Sequence, residues 1–211
     1  CLVGSEMCIR DSSKPGHNAL VEINNFLAES TAATELTEEI VSNFIKNWGA
    51  KFDSSNIEYR SSMYRKVADH VYISAVSKDD PVFEETKHLA QVLELPEKLQ
   101  RLADNGAKKV AYFSRCRKII SGEEPLTISE INNVFGYDYE DGYDIRVQVF
   151  HDYLNKKFDE IAEQQRFSPD EETALREICT KLDIPYEFKP NIQNALDKYR
   201  YLWSAENAPL G

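Results

Sequence analysis

The chain has 211 residues, 25 basic against 36 acidic side chains and a formal net charge of −11. So acidic a surface repels phosphate backbones and anionic lipid, which argues against a nucleic-acid or membrane-surface binder and leaves basic proteins or metal cations as partners. The length suits one large domain or two small ones, and no apolar run is long enough to span a bilayer.

Residues 1–12 are set aside: Glu6-Met7-Cys8-Ile9-Arg10-Asp11-Ser12 resembles the translation of a transposase adaptor end used in sequencing-library preparation. An artefactual or disordered tail is expected there, on a fragmentary reading frame. From Ser13 onward apolar residues recur at helical spacing and no hairpin signal is flanked by β-branched runs, so the fold class is all-α. A first helix is expected over 19–28, with Leu20, Ile23, Phe26 and Leu27 inward. Thr37 caps a second, whose stripe is Ile40, Val41, Phe44, Ile45 and Trp48 and which Gly49 stops. A long helix over 61–76 places Met63, Val67 and Val71 on one face, flanked by Tyr64, Ala68 and Ala75.

Asp80-Pro81 is a clean helix start, and Phe83, Leu89, Ala90 and Leu93 face inward until Pro96 interrupts. A short helix over 97–103 and a third over 106–120 follow. A capped helix over 126–135 stops at Gly136, and an acidic, aromatic loop spans 137–143. The second long helix, 143–165, has the stripe Val147, Phe150, Leu154, Phe158 and Ile161. Ser168-Pro169 with Glu171 is a capping box, Leu175, Ile178, Cys179 and Leu182 bury, and 192–203 closes the chain's last helix.

The chain repeats itself. Leu93-Glu94-Leu95-Pro96 and Lys109-Val110-Ala111-Tyr112-Phe113 return 89 positions later as Leu182-Asp183-Ile184-Pro185 and Lys198-Tyr199-Arg200-Tyr201-Leu202. Repetition without shared catalytic residues predicts a tandem helical-repeat (helical hairpin) bundle of about eight to ten helices, with the Thr37 region a possible poorer copy. The divisions are 13–120 for one or more N-terminal repeat units, 121–144 for a linker with a short helix and the acidic loop, and 145–211 for a C-terminal unit.

Phe167-Ser168-Pro169-Asp170-Glu171-Glu172, then Leu175 and Leu182-Asp183-Ile184, resembles the tellurite-resistance TerB-like helical modules of bacterial proteins. The resemblance covers about 150–210 and, loosely, 63–113. It implies an acidic helical module inside a larger protein, with an adjacent missing domain. Acidic residues of that family are associated with metal ions. Gln164-Gln165-Arg166 stands where the family's turn carries Asp-Gly, which leaves Asp79 and Asp80 as the resemblance's candidates.

Among residues with chemistry, Asp138, Glu140, Asp141 and Asp144 crowd carboxylates into one loop that could hold a hard cation. An EF-hand with Gly142 at its sixth position would need acidic residues where Tyr137 and Tyr139 stand, so that pattern fails. Glu84-Glu85 and Glu171-Glu172 are neighbours along a helix, do not face one another, and suit the positive end of the helix dipole. His17, His70, His88 and His151 lack metal-ligand spacing. Lys108, Lys109, Arg115, Arg117 and Lys118 form the one basic cluster, outweighed by the net charge. Cys116 and Cys179, alone and without Cys-x-x-Cys spacing, suit free thiols in a reducing compartment, and the localisation expected is cytoplasmic.

The expected function is a non-enzymatic helical-repeat module for protein–protein interaction or domain scaffolding, with no cofactor and no nucleic-acid or membrane partner. Two alternatives stand beside it: a metal-ion-responsive TerB-like stress-resistance protein using a divalent cation, and an enzyme with a dispersed active site.

Overall fold

A computed structural model describes residues 57–209. These form seven helices and no strand: α1 (Ile57–Ser74), α2 (Pro81–Val92), α3 (Glu97–Ser121), α4 (Ile128–Phe135), α5 (Tyr143–Gln164), α6 (Pro169–Lys181) and α7 (Pro190–Glu206). The expected helices at 19–28 and 37–48, and the poorer repeat copy there, lie outside the described residues. Contacts divide the chain into two compact units, 1–111 and 112–211, with the division inside α3.

In the first unit, α1 buries Met63, Tyr64, Val67, Ala68 and Val71, and Ala75 just past its end is buried too, so the whole face that the spacing marks is inside. Helix α2 opens on Asp80, whose carboxylate accepts from the Val82 amide at 3.0 Å, with Pro81 at the first helical position where its missing N–H is harmless. It buries Val82, Leu89, Ala90 and Leu93, while Phe83 is only half-buried.

The break expected between 103 and 106 is absent, and α3 runs unbroken for 25 residues. Gly106 serves a different need. A Cβ there would collide with the guanidinium of Arg65 on α1, so the glycine makes room for that side chain. Arg65 is anchored in turn by Asp69, one turn on, at 2.8 Å.

In the second unit, α4 is closed at both ends by local chemistry. Thr127 and Glu130 form a reciprocal capping box, and Gly136 takes the left-handed conformation at φ 69°, with the Tyr137 amide reaching back to the Asn132 carbonyl. The segment expected to be a linker is packed: Ile128, Ile131, Val134 and Phe135 are all buried. Helix α5 buries Arg146, Val149, Phe150, Leu154 and Ile161. Val147 and Phe158, expected inward, are only half-buried, because the helix is turned to bring Arg146 and Val149 inside. Helix α6 buries Leu175, Ile178 and Cys179, and Leu182 follows them inward.

Two turns share one hydrogen-bond pattern. After α2, the Leu95 amide donates to the Ala90 carbonyl and that of Glu94 to Gln91, with Glu94 at φ 52°. After α6, the Ile184 amide donates to Cys179 and that of Asp183 to Thr180, with Asp183 at φ 54°. Both are Schellman closures with an acidic residue in the left-handed position. Beyond the turns the segments diverge. Helix α3 starts directly after Pro96, whereas Tyr186 and Phe188 intervene before α7. Tyr112 is fully buried while its sequence counterpart Tyr201 is 72% exposed.

Candidate functional site

The first turn of α5 carries Arg146 into the interior of the second unit, where the side chain is fully buried. Its Nη1 donates to the Tyr112 hydroxyl at 2.9 Å and its Nη2 to the Tyr139 carbonyl at 3.0 Å. The rings of Tyr139 and Tyr143 lie 4.9 Å and 5.7 Å from the guanidinium carbon. Arg146 forms no ion pair among the described residues, and its Nε has no hydrogen-bond partner. Oxygen dipoles and ring faces thus do the work that a carboxylate does for most buried cations.

Tyr112 passes the chain of bonds on, donating to Asn132 Oδ1 at 2.7 Å. Burial pushes its phenol up to about 12, with Arg146 pulling the other way. The Cys116 thiol, also buried, is likewise pushed up to about 12, and burial raises Cys179 to about 11. These groups stay neutral near pH 7, so neither thiol is primed as a nucleophile.

One turn away, Arg115 makes a two-pronged bond to Glu124, Nε to Oε1 at 2.8 Å and Nη2 to Oε2 at 2.9 Å. Both side chains are 2% exposed. The basic cluster read along α3 therefore comes apart in space. Arg115 is internal, Lys108 lies over the Tyr72 ring in the first unit, and Arg117 is exposed over Phe113.

The acidic loop uses its carboxylates on its own backbone. Asp138 Oδ1 accepts from the amides of Glu140 and Asp141, and Asp141 Oδ2 accepts from the Asp138 amide. Glu140 and Asp144 are exposed. In the first unit, Asp80 is committed as the α2 cap and Asp79 is exposed in the turn before it. Among the described residues, no three His, Cys, Asp or Glu side chains come together in a way that could hold a metal ion. His70, His88 and His151 lie on α1, α2 and α5 respectively.

Glu172 does more than favour a helix N-terminus. It accepts both prongs of Arg200 on α7, at 2.9 Å and 2.7 Å, and the Tyr186 hydroxyl at 3.3 Å, tying α6 to α7. The Arg200 guanidinium is the main reason the Glu172 carboxyl is held below its ordinary value of 4.5. A depressed carboxylate contributes stability that is present above its unfolded pKa and lost as pH falls through its folded one. Glu172→Gln is therefore expected to flatten the fall of the thermal midpoint below pH 4.5. Melting curves taken from pH 7 down to pH 3 check this, and an acid limb identical to that of the unsubstituted chain counts against the pairing.

Among the described residues, three concave surfaces bear on function. In the first unit a cleft of about 140 Å³ is lined by Tyr64, Tyr72, Phe83, Gln100 and Asp104. There the Tyr64 hydroxyl donates to Asp104 at 2.7 Å, and burial raises both groups. In the second unit a groove of about 230 Å³ lies between His151 and Phe188. The largest of these three, about 470 Å³ and also in the second unit, runs between α3 and α5. Its walls are Phe113, Arg117 and Ile120 on one side and Val149, Tyr153 and Lys156 on the other. Sequence reading missed this groove and the buried arginines, because partners such as Tyr112 and Arg146 stand 34 positions apart. Their one signal is arginine at a core register position of a helix. No family model, curated protein or solved structure significantly matches the chain.

Proposed function

We propose that the chain is a non-enzymatic, acidic helical-repeat module of the TerB-like kind, which binds a protein partner or joins domains within a larger protein. The observation that supports it most is the open groove between α3 and α5, whose lining mixes apolar and aromatic side chains (Phe113, Ile120, Val149 and Tyr153) with charged and polar ones. A trough of this kind accepts a ridge of side chains from another helix. The shared Schellman turns after α2 and α6 support the repeat, since repeated helical units work through the surface they stack to form. The buried polar groups fit the same reading. Arg146, Tyr112, Arg115 and Glu124 are spent on holding the second unit together. Incubation of the purified chain with a panel of hydrolase and transferase substrates is expected to give no turnover above background. Turnover abolished by one point substitution would end this reading.

A further inference from the structure

We propose that the groove between α3 and α5 receives an amphipathic helix of a protein partner, apolar on the face it inserts and acidic along both flanks. The inference rests on the interaction reading above and adds the chemistry of the partner.

Shape comes first. Phe113, Arg117 and Ile120 on α3, and Val149, Tyr153 and Lys156 on α5, each recur at single-turn spacing along one side of a helix. Two such rows side by side leave a trough of about 470 Å³, into which the side-chain ridge of a third helix packs. Val149 is buried at the floor, and Phe113, Ile120 and Tyr153 are half-buried, so apolar surface remains for an inserted face to cover.

Charge then selects the flanks. Arg117 and Lys156 stand exposed, one on each wall. Neither forms an ion pair among the described residues, although acidic side chains outnumber basic ones 36 to 25 in the whole chain. Lys157, next to Lys156, is paired with Glu160 at 3.6 Å, so the groove-facing cation is the one left open. The one carboxylate on the lining, Asp152, accepts from Gln148 at 2.8 Å. Two cations without ion pairs among the described residues, Lys156 on one wall and Arg117 over the Phe113 ring on the other, match a helix with carboxylates on both sides of its stripe. Their aliphatic stems extend the apolar walls at the same time. A second copy of this chain fits less well, because −11 would meet −11.

The test uses the full chain and three labelled synthetic peptides of about 18 residues, long enough to form a helix on docking. One carries leucine and phenylalanine at i, i+3, i+4 and i+7 with glutamate flanks. The second has the same stripe with lysine flanks, and the third a scrambled stripe with glutamate. Fluorescence anisotropy is read at about 0.15 M salt, where the long-range field of the chain is largely screened. The glutamate-flanked helix is expected to bind at least about tenfold more tightly than either control. Arg117→Glu combined with Lys156→Glu should weaken it by about tenfold and tighten the lysine-flanked peptide. Both sites are exposed, and an unchanged circular dichroism spectrum verifies that the variant is folded. Equal binding of both flanked peptides, unaffected by the charge reversal, overturns the proposal but leaves the interaction reading intact. So does no binding by the folded chain. Self-association abolished by the charge reversal would put a second copy in the groove and likewise overturn it. The interaction reading itself fails separately, on turnover lost to a point substitution.

Discussion

Replacing Glu124 by leucine will destabilise the second unit by about 3–5 kcal/mol, the usual cost of removing one member of a buried ion pair. The mechanism is desolvation. Arg115 and Glu124 are each 2% exposed, and their two-pronged contact supplies the compensation for taking two charges out of water. Glu124 Oε2 also accepts from the Leu126 amide at 3.2 Å, so the same carboxylate fixes the approach to α4. The Arg115 guanidinium also lies 5.9 Å from the centroid of the Phe135 ring, a contact that does not replace the lost carboxylate charge. Urea unfolding followed by Trp203 fluorescence in a Trp48→Phe background reads the second unit directly. The midpoint should fall while the slope stays constant, as for a change in stability alone. Arg115→Met with Glu124→Leu removes both charges and should recover at least half of the loss, because a well-packed apolar pair carries no desolvation penalty. A loss below about 1 kcal/mol for Glu124→Leu would mean that water reaches the pair.

That pair shows where sequence reading stops. The local punctuation is legible: Asp80-Pro81 and Ser168-Pro169 with Glu171 open helices in the structure as their chemistry dictates, and Gly136 closes one. These signals act within a few residues, so no tertiary information is needed. The buried faces of α1 and α6 are legible for a related reason, since one uninterrupted apolar stripe leaves no choice of register. Gly106 defeats the same logic. Its role depends on Arg65, 41 positions earlier, and a glycine that makes room looks like one that marks a break between helices. Arg115 stands in the sequence only as part of a basic cluster and Arg146 carries no signal of its own, because arginine is almost always solvated. What reverses that, a carboxylate from beyond a turn or a cage of tyrosines, is assembled only by the fold. Helix α5 is the intermediate case. Its stripe is right at Phe150, Leu154 and Ile161 but misses Val149, because the helix rotates to bury Arg146. Carboxylate density in the loop over 137–143 is plain in the sequence. That Asp138 and Asp141 spend their oxygens on each other's amides is not, since turn geometry decides it.

Gly142→Ala is expected to cost about 2–3 kcal/mol, toward the upper end of what one inserted methyl does in a close-packed interior. The backbone there, at φ −106°, suits any residue, so space and not conformation demands the glycine. A Cβ would fall among Cε1, Cζ and Oη of Tyr112. Whether that clash is expensive depends on whether Tyr112 can retreat. Its side chain is fully buried, and its hydroxyl is held from two sides, by Asn132 at 2.7 Å and Arg146 at 2.9 Å. Its ring packs against those of Phe135 and Tyr137, at 5.7 Å and 5.1 Å between centroids. Retreat would thus break the polar chain around a buried cation, and the strain passes instead to the start of α5. Two further variants isolate the cause. Tyr112→Phe removes the hydroxyl that both clashes and pins the ring and should reduce the cost of Gly142→Ala in part, whereas Tyr112→Leu also removes the ring carbons and should reduce it further. A double-mutant cycle between Gly142→Ala and Tyr112→Leu is then expected to show a favourable coupling of about 1 kcal/mol or more. Unfolding curves that place Gly142→Ala within about 0.5 kcal/mol of the unsubstituted chain would mean that the ring is free to move, and that the polar chain from Asn132 to Arg146 is looser than its hydrogen bonds indicate.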